Sequence, residues 1–155
     1  MAENKKILAV DDEPDLLDIL TEVLDRCDVE TATDFETAKN LLASNVYDLV
    51  ILDILGVRGL ELLDLAVERN CPAVMLTANA LDPGNIMQSM LRGAVSFVPK
   101  EDIAKFDSLV SELLELLKNG ESTWNHTMKR LAPLLDEKFG EKWRDAYRDM
   151  GLIDT

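Results

Sequence analysis

Three runs of consecutive apolar residues constrain this chain more than anything else in it: Ile7-Leu8-Ala9-Val10, Leu49-Val50-Ile51-Leu52 and Ala73-Val74-Met75-Leu76. Each is too short for a helix and shows none of the alternation of a strand with one wet face. Such runs predict strands buried on both sides, which is the condition of a parallel sheet with helices on each face. Val95-Ser96-Phe97-Val98 reads as a further strand, and Val29 to Thr33 as a weaker, β-branched one.

The segments between these strands change period. Pro14 stands where a helix would start, and Leu16, Leu17, Ile19, Leu20, Val23 and Leu24 follow at helical spacing. Asp34 is placed to cap a second helix through Ala38, Leu41 and Leu42. Helices are also expected over Leu60–Val67, from about Asp82 to Leu91 with Gly93 past its end, and from Ile103 to Leu117. Five strands alternating with five helices predict an α/β fold, a doubly wound five-stranded parallel sheet, over residues 1–118. Asn119-Gly120 breaks the pattern. Residues 119–155 then carry a helical extension with Trp124, Met128, Leu131 and Leu135 at intervals of three and four. Pro133 should kink or split that run. A last helix is expected over Glu141 to Met150, with Trp143 and Tyr147 on it.

Charge and cysteine usage narrow the function. The net charge of −14 divides into −13 for residues 1–118 and −1 for the extension, so neither part suits phosphate-backbone contact and nucleic-acid binding is not expected. No run is long and apolar enough to predict a membrane span, and no secretory leader is read before the first strand. Cys27 and Cys71 show no metal-ligand spacing and read as free thiols of a reducing cytoplasm.

In doubly wound sheets the site lies outside the carboxyl ends of the strands. There the sequence places Asp11 and Asp12 with Glu13 beside them, Asp53, Thr77 and Lys100. Clustered carboxylates need a cation or a shifted pKa to relieve their repulsion, and an all-oxygen donor set suits Mg²⁺. A lysine and a threonine aimed at the same point could neutralise and hydrogen-bond a phosphoryl group, leaving one carboxylate as nucleophile. Against this, Asp11-Asp12 alone could be a solvated helix-capping pair, Lys100 a surface lysine and Phe97 core filling. Their joint occurrence favours the chemical reading.

Residues 5–117 resemble the response-regulator receiver domain of two-component signalling. The motifs are Ile7-Leu8-Ala9-Val10-Asp11-Asp12-Glu13, Asp48-Leu49-Val50-Ile51-Leu52-Asp53, Leu76-Thr77-Ala78 and Gly93-Ala94-Val95-Ser96-Phe97-Val98-Pro99-Lys100. The resemblance implies that Asp53 is the phosphoacceptor for a sensor histidine kinase or phosphotransfer protein. It implies Mg²⁺ held by Asp11, Asp12, Asp53 and the backbone carbonyl of Leu55. Thr77 and Lys100 would contact the phosphoryl group, and Phe97 would be a switch aromatic that moves inward with Thr77. The chain would then be a phosphorelay signalling protein rather than an enzyme acting on an external substrate.

Three departures stand out. Receivers usually read Asp-x-x-Met-Pro-x-x-x-Gly after the acceptor, whereas Asp53-Ile54-Leu55-Gly56-Val57-Arg58-Gly59 lacks the proline and brings the glycine two positions closer. Pro99 precedes Lys100 instead of following it. Leu55 is apolar and cannot orient a water, which predicts slow self-dephosphorylation. Two competing functions follow: a pseudo-receiver acting as a phosphorylation-independent scaffold, and a Mg²⁺-dependent aspartyl-phosphate phosphatase. The latter is disfavoured because Leu55 stands where such enzymes place a general acid. The apolar stripe of 119–155 must be covered, by the receiver, a second copy or a downstream protein, and an interaction or dimerisation role is expected.

Overall fold

The computed structural model describes residues 4–78 and 82–153. Its elements run β1 (Lys6–Val10), α1 (Pro14–Val23), β2 (Asp28–Ala32), α2 (Phe35–Ser44), β3 (Leu49–Asp53), α3 (Gly59–Glu68), β4 (Ala73–Thr77), α4 (Pro83–Leu91), β5 (Ser96–Pro99), α5 (Phe106–Lys118), α6 (Thr123–Phe139) and α7 (Trp143–Asp149). All strand pairs are parallel, in the order β2-β1-β3-β4-β5. The expected five-stranded doubly wound sheet is present, and its β3 and β4 are buried at every position.

Local chemistry sets the helix starts. Pro14 opens α1, and the Asp34 carboxylate accepts the Thr37 N–H at 2.7 Å to cap α2. Asp82 caps α4 by accepting the Gly84 N–H at 2.8 Å, with Pro83 next. The last helix of residues 1–118 begins three residues later than its periodicity suggests. Lys100–Lys105 is a 3₁₀ turn, entered with Lys100 already anchored by ion pairs, and α5 starts at Phe106.

The two sheet faces carry separate cores. Leu17 and Leu20 of α1 pack with Phe106, Val110 and Leu113 of α5 over Ile7, Ile51, Val74 and Val98. The other face gathers α2, α3 and α4 over Leu8, Val50, Met75 and Phe97, and this cluster continues into Met128, Leu131, Leu135, Trp143 and Tyr147. The apolar stripe of the extension is therefore covered by the same chain. Leu134, Phe139 and Met150 are the large apolar side chains of the extension left exposed. Pro133 does not split α6, which is one helix capped by Ser122. Its buried positions on either side of the proline, Leu131 and Leu135, are both fully enclosed, and this packing outweighs one lost backbone bond.

β5 is an edge strand, and α6 lies along its open side. Ser96 Oγ and Thr127 Oγ1 meet there at 2.7 Å, both buried. Among the described residues no helix is long and apolar enough to cross a membrane.

Candidate functional site

The order of the strands reverses across β1 and β3, and the residues at their carboxyl ends are Asp11 and Asp53. β4 adds Thr77 as its last residue, and the residue after β5 is Lys100. Of these, Asp53, Thr77 and Lys100 line a crevice of about 420 Å³ with Asp12, Glu13, Leu55, Gly56 and Asp82. The sheet thus brings together Asp11, Asp12, Asp53, Thr77 and Lys100, all named from the sequence. Phe97 lies deeper, fully buried on the core side of β5.

Lys100 holds the site electrostatically. Its Nζ lies 2.7 Å from Asp11 Oδ2, 3.1 Å from Glu13 Oε1 and 3.5 Å from Asp53 Oδ1. Burial works against its charge, but the close carboxylates of Asp11 and Glu13 and the charge of Asp53 outweigh it, so the ammonium is held above the ordinary lysine range. Asp11 is fully buried, and this loss of water raises its pKa in spite of Lys100 and the backbone N–H of Glu13, which donates to Oδ1 at 2.9 Å. The Lys100 contact to Asp11 Oδ2 is an ion pair outside hydrogen-bond alignment. That buried oxygen has no hydrogen-bond partner.

The shortened loop after Asp53 is fitted around the acidic cluster by two glycines. Gly56 donates its N–H to Asp53 Oδ2 at 3.1 Å. A Cβ on Gly56 would lie 2.6 Å from the Asp12 carboxyl atoms, so the absent side chain is what gives that carboxylate its place. A Cβ on Gly59 would lie 2.1 Å from the Asp53 carbonyl oxygen, and α3 starts pressed against the end of β3. Arg58 between them takes a left-handed φ of 56°, and its guanidinium stacks 3.9 Å from the centroid of the Phe35 ring. Leu55 is 77% exposed at the rim.

The donor set fits a hard divalent cation. Carboxylate oxygens of Asp11, Asp12 and Glu13 come within 4.8 Å of one another. All are oxygen ligands, and the unaligned Asp11 Oδ2 adds a buried lone pair that a cation would satisfy. Sequence reasoning missed two parts of this site. Glu13 is a third partner of Lys100, signalled only by its place in an acidic run. Gly56 makes room for Asp12, signalled only by the altered spacing after Asp53.

Comparisons with known proteins agree with this geometry. The family model described as "Response regulator receiver domain" matches residues 7–113. The Arabidopsis thaliana two-component response regulator ARR18 is 30% identical over 131 residues, spanning 81% of this chain and 18% of that protein. The response regulator protein PilR of Pseudomonas aeruginosa is 33% identical over 120 residues, 72% of this chain and 26% of that one. The chain spans about a fifth of the length of the curated relatives it matches. Among solved structures, the receiver domain of NtrX from Brucella abortus superposes with a TM-score of 0.63 at 30% identity, covering 70% of this chain and 98% of that one. A CheY-like receiver from Methanospirillum hungatei JF-1 shares the fold with a TM-score of 0.64 at 24% identity, covering 76% and 99%.

Proposed function

The chain belongs to the response regulator receiver domain family, and from that premise we propose that it accepts a phosphoryl group on Asp53 and uses it to switch protein–protein contacts. The observation that carries this reading is the set of three ion pairs from Lys100, which places one ammonium against Asp11, Glu13 and the acceptor carboxylate.

The donor is the phosphohistidine of a sensor kinase or phosphotransfer protein. An Asp53 carboxylate oxygen attacks phosphorus, an O–P bond forms, and the P–N bond breaks with its electron pair returning to the imidazole. Asp11, Asp12 and Asp53, with the backbone carbonyl of Leu55, would hold Mg²⁺, which supplies charge neutralisation for the incoming phosphoryl oxygens. Lys100 leaves Asp53 to pair with the new phosphate. Thr77 donates a hydrogen bond from its hydroxyl to a phosphoryl oxygen, and Phe97, on the same face of the sheet, fills the space that Thr77 vacates. Glu13 keeps Lys100 oriented from the exposed side. Leu55 offers the acyl phosphate no polar group to align a hydrolytic water, which slows its loss.

Intact mass after incubation with acetyl phosphate and Mg²⁺ tests the reading. Wild type should gain one phosphoryl group and Asp53→Asn none. No gain by the wild type, even from a phosphorylated kinase, would instead make the chain a phosphorylation-independent scaffold.

A further inference from the structure

The extension grips the receiver chiefly at its main chain. Trp124 Nε1 donates to the carbonyl of Ala94 just before β5, and Arg130 Nη2 donates to the Phe97 carbonyl at 3.3 Å within it. The Tyr147 hydroxyl donates to the carbonyl of Pro83, the first residue of α4. These attachments fall on two segments that also reach the crevice. β5 runs directly into Lys100, and Pro83 follows Asp82, a crevice-lining residue.

Phe97 lies between the two sites. Met75 pairs with Phe97 and Thr77 with Pro99, so Thr77 and Phe97 share a sheet face as diagonal neighbours, within reach of an aromatic ring. Phe97 is fully buried in the cluster that also contains Met128, Leu131 and Leu135 of α6. With α6 docked, the ring is enclosed by close-packed neighbours, and outward rotation requires the helix to move.

We propose that Arg130 and Tyr147 are positioning residues for the acceptor. The docked extension holds Phe97 buried and pins the first turn of α4, and so favours the arrangement in which Thr77 engages a phosphoryl group on Asp53. The inference rests on the acceptor reading above. It makes the extension an internal effector: by linkage, the phosphoryl group tightens docking by the same factor that docking favours the phosphoryl group. Arg130 gives this grip a limited strength, because its Nε is buried without a hydrogen-bond partner and desolvation lowers its pKa.

The test uses the full chain, with beryllofluoride and Mg²⁺ as the phosphoryl probe and calorimetry to read half-saturation. Tyr147→Phe removes one hydrogen bond and keeps the ring. Leu131→Asp places a charge at a fully buried position of α6 and undocks it. Half-saturation should rise about tenfold in Leu131→Asp, within the usual range of coupling between sites, and about twofold in Tyr147→Phe. Both tryptophans lie in the extension, so wild-type emission should shift on saturation, reporting tighter docking. Should Leu131→Asp fail to fold, Tyr147→Phe decides the matter. Uptake by wild type with unchanged or lower half-saturation in the folded variants overturns the positioning role alone. No uptake by wild type overturns the acceptor reading and this inference together.

Discussion

The crevice opens at the carboxyl ends of the interior strands, the docked extension lies against the β5 edge, and the two are held by opposite means. In the crevice, one ammonium is set among three carboxylates, and glycines supply clearance where a Cβ would collide. Beneath the extension, Leu131, Leu135 and Tyr147 are almost wholly enclosed, and its polar contacts reach chiefly for carbonyl oxygens of the main chain. Burial of a charge is costly and is tolerated where chemistry needs it, whereas burial of apolar surface stabilises the fold directly. The difference separates a charged site, on which the proposed chemistry rests, from a cohesive core.

The sharpest way to break this contrast is to cut into each region separately. Leu131→Ala should lower the stability of the whole chain by about 3 kcal/mol, the cost of a cavity at a closed site. Leu134→Ala, one turn away and 42% exposed, should stay within about 0.5 kcal/mol. Urea denaturation of the two variants checks this. If both prove equally mild, the extension is not part of the core.

Gly56→Ala is the matching cut in the crevice. Its new Cβ meets the end of an exposed, movable Asp12 side chain, so the melting temperature should hardly change. Mg²⁺ affinity, read by calorimetry, should fall about tenfold, or ~1.4 kcal/mol. A large loss of stability without loss of metal affinity would reverse the assignment.

A smaller effect should follow at the rim. Leu55→Asn puts an amide where a hydrolytic water could be aligned, and loss of the phosphoryl group from Asp53 should speed up about fivefold, towards the lower end of what a positioned polar group contributes. Mass spectrometry over time after removal of the donor measures it.

The cohesive core also separates from the charged site by pH. Burial pushes the Cys71 thiol from 9.0 up to about 11. The fold therefore favours the neutral thiol, and its contribution to stability is complete below pH 9 and lost as pH rises towards 11. Chemical denaturation across that window should show a decline that is shallower in Cys71→Ala.

The same contrast explains what could be read beforehand. The convergence of Asp11, Asp12, Asp53, Thr77 and Lys100 was legible because strand period places them at or just past the ends of neighbouring strands. The sheet was legible because β1, β3 and β4 are continuous apolar runs. For the extension, docking on the rest of the chain was one of three coverings left open, and nothing singled it out. Three of its bonds end on carbonyls of Pro83, Ala94 and Phe97, and every residue has a carbonyl, so no pattern marks those acceptors. Pro133 left a kinked or a split helix open, and packing on a strand distant in sequence decides for one continuous α6. Glu13 and Gly56 stood in view, but their roles depend on side chains brought to them by other strands.

The covering of the β5 edge by α6 also has a consequence during synthesis. β5 is complete at Pro99, while its roof begins at Thr123 and is fastened by Tyr147. At about 5–20 residues per second a ribosome needs several seconds to add the remaining stretch. During that interval the nascent sheet presents unpaired backbone groups and the bare surface that α6 will later occupy. Order of emergence therefore exposes the β5 side before its cover exists.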